Sequence, residues 1–389
     1  MKALIFLSIL TILNPGCNKH STRYSLGPPE QINDGLEVST LEEVGMDPEM
    51  ILKAIERIEQ GKYNEVHSML IFRYGSLVCE QYFRGHKYQW DAPEYHGEMV
   101  QWDRDMLHHT MSVTKSFTSA CIGIAVEQGY IDNVHESIFS YLPDHQQLKT
   151  GGKDQITIEH LLTMTSGLQW NEWGSAHGTS ANDIDRIYFE CSNDPLACIL
   201  ERSLESEPGQ HFNYNGGGTI VLGEILKNAA MDIGAFASKY LFEPLGIDTF
   251  YWYQFENGAY AAEGSLYLTS RDMVKFGAMY LNGGRWMDKK MLSSDWVEKS
   301  MTEYNNNSRI RIPIEDSGKN GYGYTWWISE VGSGRHKTKM FRANGWGGQA
   351  IMVLPGKEMV VVFTGGNYAS KSSLFEILER FILPAIKSE

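Results

Sequence analysis

Apolar runs rich in β-branched and aromatic residues, separated by glycine-containing turns, lie near both ends of the 389-residue chain. Near the N-terminus, residues 68–72 and 77–83 flank the turn Arg73-Tyr74-Gly75-Ser76, and this arrangement predicts a hairpin. Near the C-terminus, Pro355-Gly356 and Gly365-Gly366 are predicted turns. Four further strands are predicted there, at residues 322–329, 339–343, 348–354 and 359–364.

Other periodic segments predict helices. Asp47-Pro48 begins a helical pattern through Ile58, and Ser270-Arg271-Asp272 begins another through Leu281. The run MSVTKSFTSACIGIAVEQG, which contains Ser112, predicts an apolar helix, and residues 372–386 predict an amphipathic one. A polar and aromatic segment, Gly85 to Arg104, interrupts the pattern before the Ser112 helix and is interpreted as an insertion.

The order of these elements predicts the fold class. From about residue 132 to 255 the chain favours helices and long loops, and prolines such as Pro143 and Pro208 punctuate it. Strands at both ends with a helical middle predict a mixed α/β (α+β) domain over residues 41–389. Its antiparallel sheet would be assembled from the N- and C-terminal strands, with helices on its faces and a mostly helical lobe made by the middle.

Residues 1–17 have the pattern of a signal peptide. Met1-Lys2 precedes an apolar run at residues 3–13 that is too short to span a bilayer. The run ends at Asn14-Pro15-Gly16-Cys17, where a small residue before a cysteine resembles a bacterial lipoprotein cleavage site. The sequence therefore predicts export to the periplasm or cell envelope. Lipidation at Cys17, which would anchor the protein to the membrane, stays an open alternative, and residues 18–40 are interpreted as a linker.

The composition is that of a globular protein with an acidic surface. Hydrophobic residues make up 42% of the chain, and acidic residues exceed basic ones by 48 to 34, giving a formal charge of −14. This balance argues against a nucleic-acid partner, which would require a basic surface. It does not predict an oligomeric state.

The cysteines and histidines do not indicate a metal site. Cys79, Cys121, Cys191 and Cys198 match no zinc or redox spacing, and His108-His109 also lack metal-ligand spacing. Cys121 is expected in the core. Cys191 and Cys198 either pair in an oxidising compartment or remain free thiols. No metal or organic cofactor is predicted.

Ser112 and Lys115 are the first candidates for chemistry. They lie three residues apart at the start of the apolar helix, so they share one helix face. Unpaired backbone N–H groups at a helix N-terminus favour developing negative charge. A serine needs a base to act as a nucleophile, and a desolvated lysine can be that base. Because Ser-x-x-Lys arises by chance on the order of once in a chain of this length, its weight depends on further motifs.

Two glycine-rich motifs follow downstream. Tyr214 precedes Asn215-Gly216-Gly217-Gly218, a turn that can bring the phenol close to another element, where a neighbouring ammonium would favour its ionised form. Trp346-Gly347-Gly348 precedes Gln349 at the entry to a predicted strand, where glycines mark a close approach by backbone or ligand. Trp346 is a candidate cleft wall. For Trp170 and Trp173, cleft wall and core packing are both open.

Together these motifs resemble the serine β-lactamase and penicillin-binding-protein superfamily. The closer resemblance is to its class C-like branch of esterases, D-aminopeptidases, D,D-peptidases and 6-aminohexanoate-dimer hydrolases. It extends to IEHLLTMTSG at residues 158–167, to residues 261–281 and to YGYTWWI at residues 322–328. The resemblance implies a β-lactamase/transpeptidase-like fold and acyl transfer through a serine.

The resemblance also implies roles for individual residues. Ser112 would be the nucleophile, Lys115 its proton acceptor and Tyr214 a second proton carrier. The oxyanion hole would use the backbone N–H groups of Ser112 and Gln349. Gly216 stands where the family commonly has Asn or Ser, and Trp346-Gly347-Gly348 stands where lactamases carry Lys-Thr-Gly. Gly216 lacks the side chain that would contact Lys115 or a substrate amide. Trp346-Gly347-Gly348 resembles the esterase members of the family, and losing the lysine cation there disfavours binding of a substrate carboxylate.

Three functions remain open at this stage. The favoured one is an exported serine hydrolase that cleaves a small ester, amide or peptide through an acyl-enzyme, because Ser112, Lys115 and Tyr214 are all present. The second is a D,D-peptidase or β-lactamase acting on cell-wall peptides or their antibiotic mimics. The third is a binding or sensing protein that is acylated slowly or not at all, with Gly85 to Arg104 as an interaction loop. The sequence lacks a Gly-x-Ser-x-Gly elbow, which argues against the α/β-hydrolase route to this chemistry.

Overall fold

The structure is a computed structural model that describes residues 26–304 and 307–387. The predicted signal peptide, Cys17 and the first part of the predicted linker lie outside the described residues. Among the described residues, none of the helices is long and apolar enough to cross a membrane.

Fifteen strands occur in the described residues. In chain order they are β1 Glu37–Val38, β2 Val66–Arg73, β3 Ser76–Tyr82, β4 Arg84–Tyr88, β5 His96–Gln101, β6 His108–His109, β7 Tyr251–Trp252, β8 Leu266–Leu268, β9 Arg285–Trp286, β10 Lys289–Lys290, β11 Gly321–Tyr322, β12 Trp327–Val331, β13 Thr338–Gly345, β14 Gln349–Leu354 and β15 Met359–Gly365.

Eight of these strands form the central sheet, in the order β1-β3-β2-β15-β14-β13-β12-β11. All neighbouring pairs are antiparallel except β1 and β3. The prediction of a sheet assembled from the two ends of the chain is therefore confirmed. The single strand predicted at residues 322–329 is wrong, because a turn closed by the Gly323 N–H and the Trp326 carbonyl (2.9 Å) divides it into β11 and β12.

Twelve α-helices accompany the strands in the part of the chain that the structure describes. They are α1 Pro48–Glu59, α2 Thr114–Glu127, α3 Ile158–Leu162, α4 Asp183–Glu190, α5 Pro195–Leu200, α6 Gly216–Ala229, α7 Ile233–Ala237, α8 Glu243–Leu245, α9 Ser270–Leu281, α10 Ser294–Ser300, α11 Leu374–Ile377 and α12 Leu383–Ala385. A π-helical turn, Leu378–Ile382, joins α11 to α12. The amphipathic helix predicted at the C-terminus is therefore present, with this π-helical turn in its middle.

The two faces of the sheet pack against different helices. In β2, Leu70 and Phe72 point into one core, whereas Met69 and Ile71 point into the other. Helix α9 packs on the first face, and α1 packs with the C-terminal helical segment on the second. Because both faces are buried, the strands read as nearly continuous apolar runs without the polar alternation of a half-exposed sheet.

The segment interpreted as an insertion forms a hairpin of its own. Strands β4 and β5 pair antiparallel in a two-stranded sheet, from Arg84 opposite Gln101 to Tyr88 opposite His96. Its side chains are mostly exposed or half-buried, so the segment lacked the apolar pattern that would have predicted strands.

A disulfide joins Cys191, the residue after α4, to Cys198 in α5. Of the two alternatives that the sequence left open, a disulfide and two free thiols, the structure shows the disulfide. Cys79 and Cys121 are buried free thiols, so the expectation that Cys121 lies in the core is confirmed.

Reduction of this disulfide should lower the free energy of unfolding by about 2 kcal/mol, because the bond closes only a short loop in the unfolded chain. The two cysteines are 7 residues apart in sequence. The measurement is urea denaturation of the wild type and of a Cys191→Ala/Cys198→Ala variant, each with and without dithiothreitol. Only the wild type should respond to the reductant; an equal response of the variant would contradict the assignment.

Candidate active site

Ser112 lies on a 3-10 turn, Met111–Val113, directly before α2. The helix runs through the core, with every residue from Thr114 to Ala125 buried, so its first turn is held firmly. Met111 has a positive φ of 49°, a conformation that a non-glycine residue adopts at a cost and that often accompanies active sites. The Thr110 hydroxyl donates to the Leu266 carbonyl at 2.8 Å, which fixes the chain entering the turn.

Lys115 is the direct partner of Ser112. Its Nζ lies 2.9 Å from Ser112 Oγ and also 2.9 Å from the carbonyl oxygen of Glu263. The side chain is 2% exposed, and this burial lowers the pKa of the Lys115 ammonium, although Glu172 and Glu263 act in the opposite direction. A lowered pKa increases the fraction of neutral amine, the form that can accept the serine proton.

Tyr214 completes the group. Lys115 Nζ lies 4.9 Å from the centroid of its ring. Burial, followed by the charge of Glu172, raises the pKa of Tyr214 well above its ordinary value. Desolvation therefore opposes the ionised form that a neighbouring ammonium would favour, so Tyr214 is a proton donor at neutral pH. Its expected role as a proton carrier stays a prediction.

The glycines after Tyr214 are explained by close packing at the start of α6. Asn215 caps the helix, with its Oδ1 accepting from the Gly218 N–H at 2.9 Å. A Cβ on Gly217 would lie 2.6 Å from the Trp170 ring. Trp170 is 5% exposed and packs in the core behind this turn, so of its two open alternatives the structure shows core packing; it does not line the cleft.

Glu172 occupies the space that a side chain at position 216 would fill. A Cβ on Gly216 would lie 3.0 Å from Glu172 Oε2, and that oxygen accepts from the Gly216 N–H at 2.7 Å. The same oxygen accepts from the Trp170 indole at 2.9 Å. The polar group missing from residue 216 is thus replaced by a carboxylate from a neighbouring loop.

A cleft of about 690 Å³ opens above Ser112. Trp173, 36% exposed, stacks on Tyr214 with ring centroids 4.7 Å apart. Of its two open alternatives, cleft wall and core packing, the structure therefore shows the cleft wall. Trp346, Gly347 and Gly348 line the cleft opposite, and the Trp346 ring stacks on His177 at 4.3 Å. The wall is therefore largely aromatic.

The charged groups of the cleft are mostly carboxylates. The acidic residues that line it are Glu172, Asp185, Glu263 and Glu315. Its basic residues are Lys115, His109 and His177. Asp185 accepts from the His177 ring at 3.2 Å, and Glu315 pairs with the buried Arg342 at 3.0 Å.

Gln349 is not among the residues that line the cleft, but the adjacent Gly348 is, and the expected part of the Gln349 backbone N–H in the oxyanion hole stays a prediction. The Gln349 side chain is buried and bonds both backbone groups of Gly365, at 2.7 and 3.1 Å. The backbone that reaches the Ser112 turn is that of Gly345, where an added Cβ would lie 2.5 Å from the Thr110 carbonyl oxygen. The same added Cβ would lie 3.1 Å from the Cβ of Gln349, which pairs with Gly345, so the end of β13 and the start of β14 both lie close to the Ser112 turn.

A serine, a buried lysine and a tyrosine in contact at the base of one cleft agree with the family that the motifs resemble. The sequence profile of the Beta-lactamase family matches residues 68–370, most of the chain. The chain belongs to the Beta-lactamase family.

Curated relatives share limited identity with the chain. A segment of 117 residues, 30% of this chain, is 29% identical to Protein flp of Staphylococcus aureus (strain COL), and the match spans only 22% of that protein. An uncharacterized protein of Alkalihalophilus pseudofirmus is 22% identical over 324 residues, which cover 78% of this chain and 84% of that protein.

Solved structures share the fold of the Beta-lactamase family domain. A protein proposed to be a 6-aminohexanoate-dimer hydrolase, from Bacillus anthracis, aligns with a TM-score of 0.67 at 22% identity, covering 84% of this chain and 80% of that chain. A family VIII carboxylesterase aligns with a TM-score of 0.61 at 15% identity, covering 82% of this chain and 91% of that chain. These similarities establish the fold alone.

Several cleft residues were not predicted from the sequence. Glu172 lies between Trp170 and Trp173, in a segment where only the tryptophans are sequence-based candidates, and Glu263 lies in the family-like run at residues 261–281. Tyr88 and Tyr95 come from the β4–β5 hairpin and contact Trp346 across the cleft edge. Only Glu263 carried a signal, because it belongs to a segment that already resembled the family.

The pKa of Glu263 should make stability depend on pH. Complete burial raises this pKa from about 4.5 to about 7, against the hydrogen bond from Tyr188 and the charge of Lys115. Between these values the folded protein holds a proton that the unfolded chain releases, so the free energy of unfolding falls as pH rises. The expected contribution is about 3 kcal/mol over this interval.

Glu263→Gln tests this expectation, because it removes the titration and keeps the shape of the side chain. Urea denaturation from pH 4.5 to 8 should give the wild type a steeper loss of stability with rising pH than the variant. Parallel curves for the two proteins would contradict the raised pKa.

Proposed function

We propose that the protein is an exported serine hydrolase that cleaves small esters or amides through an acyl-enzyme on Ser112. The observation that supports it most directly is the 2.9 Å contact between Lys115 Nζ and Ser112 Oγ in a buried site. Membership of the Beta-lactamase family supports hydrolysis as the reaction class. The specific substrate and the export are parts of the proposal.

The reaction would proceed in two acyl-transfer steps. Neutral Lys115 accepts the Ser112 proton as Oγ attacks the substrate carbonyl, and backbone N–H groups stabilise the oxyanion. Tyr214 donates its proton to the leaving group as the carbonyl–oxygen or carbonyl–nitrogen bond breaks, and the proton on Lys115 then restores the phenol. Water attacks the acyl-enzyme with the same groups acting again, which frees the acid and Ser112.

The cleft supports a neutral or positively charged substrate over an anionic one. Of its residues, the only lysine or arginine is Lys115, and that amine already contacts the nucleophile. A substrate carboxylate would therefore find no second lysine or arginine among the described residues of the cleft to pair with, and the acidic side chains there offer it no favourable contact. β-Lactams and peptides ending in a free carboxylate carry such a group, so lactamase or D,D-peptidase activity is the second candidate and not the first.

Export is supported by two features. The apolar run at residues 3–13 has the length of a signal peptide core, and the Cys191–Cys198 disulfide is of a kind that persists in oxidising compartments. Cell fractionation after expression should find the processed protein outside the cytoplasm. If Cys17 is lipidated, Cys17→Ser should move the protein from the membrane fraction to the soluble one.

A matched substrate panel tests the activity. The wild type and Ser112→Ala are incubated with p-nitrophenyl esters of neutral, cationic and anionic acyl groups of equal length, and with a chromogenic cephalosporin. We expect Ser112-dependent turnover of the neutral or cationic ester, with a kcat/KM at least about tenfold above that of the anionic ester. Faster turnover of the cephalosporin would favour the second candidate. Stoichiometric acylation without turnover would favour a sensing protein.

A further inference from the structure

The β4–β5 hairpin carries two histidines that the proposed reaction does not use. His86 lies on β4 and His96 on β5, and their rings stack with centroids 4.4 Å apart and planes 7° from parallel. Tyr88, which pairs with His96, and Tyr95, which precedes it, line the cleft. Whatever holds the two histidines therefore also sets the position of a cleft wall.

A carboxylate from the body of the domain faces both rings. Glu65 directly precedes β2, and its Oε1 lies 2.5 Å from His86 Nδ1 and 4.0 Å from His96 Nδ1. The three side chains each offer one ligand atom, and these atoms all lie within 4.8 Å of one another. Ligand atoms around a tetrahedral zinc ion are separated by about 3.3 Å, which falls between the two observed distances.

Surrounding hydrogen bonds orient these ligand atoms. His96 Nε2 donates to the Gly366 carbonyl at 2.8 Å, which places the hydrogen on Nε2 and the lone pair on Nδ1, toward Glu65. The other carboxylate oxygen, Oε2, accepts from the His86 backbone N–H at 2.9 Å and lies 3.2 Å from the buried His67 ring. The remaining carboxylate oxygen, Oε1, therefore faces the imidazole rings of His86 and His96.

The backbone is also fitted closely around this group. A Cβ on Gly366 would lie 2.6 Å from Glu65 Oε2, and a Cβ on Gly85 would lie 2.2 Å from the His67 ring. The three ligand side chains are 20 to 27% exposed, so an ion can reach them from solvent. The ring of His96 is 6.4 Å from that of Tyr368, which in turn contacts Trp346.

We propose that Glu65, His86 and His96 bind a divalent transition-metal ion such as Zn²⁺, which fastens the cleft hairpin to the start of β2. Two imidazole nitrogens and one carboxylate oxygen are a common zinc ligand set that leaves a fourth position for water. The ion is a positioning element, because it lies behind the aromatic wall and holds Tyr88 and Tyr95 against Trp346. The site is not recognisable from the sequence, since its ligands are separated by 21 and 10 residues.

Zinc titration of the tag-free, chelator-treated protein tests the proposal. Calorimetry should show one Zn²⁺ bound per chain, and zinc should raise the thermal midpoint. His86→Asn and His96→Asn should each weaken binding at least tenfold. His135→Asn is the matched control, because His135 pairs with Glu159 at 3.3 Å outside this group, and it should bind as the wild type does. Circular dichroism verifies the fold of each variant.

X-ray absorption of the zinc-loaded wild type gives a test that needs no variant. We expect nitrogen and oxygen ligands with the multiple scattering of two imidazoles and no sulfur. Absence of zinc binding, a sulfur ligand, or unchanged binding in both histidine variants would overturn the proposal. None of these readouts depends on catalysis, so the result is independent of the proposed hydrolase activity.

Discussion

Ester hydrolysis should fall about 10⁴- to 10⁶-fold when Ser112 is replaced by alanine. The reason is that Ser112 Oγ, in contact with the Lys115 amine at 2.9 Å, is placed to form the acyl-enzyme, while the remaining cleft still binds substrate and polarises its carbonyl. The measurement is kcat with a p-nitrophenyl ester, at enzyme concentrations high enough to detect the residual rate.

Ser119→Ala is the matched control for this variant. It removes a hydroxyl from the same helix, where Ser119 donates to the Tyr324 carbonyl at 3.2 Å away from the cleft. We expect its kcat to stay near that of the wild type. Equal losses in the two variants would mean that the effect comes from the helix and not from a nucleophile.

Replacing Lys115 with arginine should reduce kcat about 10²- to 10⁴-fold although the positive charge is kept. An arginine stays protonated, so it cannot accept the Ser112 proton. A Lys115→Met variant, which fills the buried site without a charge, should lose activity to a similar degree. Activity retained by the arginine variant would contradict the role of Lys115 as a base.

The pH profile provides a second test of Lys115. The neutral amine is the active form, so kcat/KM of the wild type should rise with pH as Lys115 loses its proton. Because burial lowers the pKa of Lys115, the rise should be centred below the ordinary lysine value of about 10.4. The rise should disappear in Lys115→Arg.

The sequence predicted those features that depend on local spacing. Ser112 and Lys115 are one turn apart, so a helical start was enough to place them together. The sheet followed from apolar runs at the two ends of the chain, because strands buried on both faces have a strong signal. The assignment to a family also rested on short segments in a fixed order.

Features that depend on contacts between distant segments were not predictable. Trp170 and Trp173 are close in sequence, but one lies in the core and the other on the cleft wall, because the segment has no regular period. The register of the β13–β14 hairpin, which pairs Gly345 with Gln349, brings Gly345 against the turn that holds Ser112. Desolvation decided the protonation of Tyr214, and a sequence does not reveal burial of this degree.

The central claim is that Ser112 becomes acylated, and trapping the covalent adduct tests it most directly. The protein is treated with a fluorophosphonate, and its intact mass and its peptides are measured for the wild type and Ser112→Ala. We expect one adduct per chain, located on the peptide that contains Ser112, and none on the variant. An adduct on another residue, or equal labelling of the variant, would contradict it.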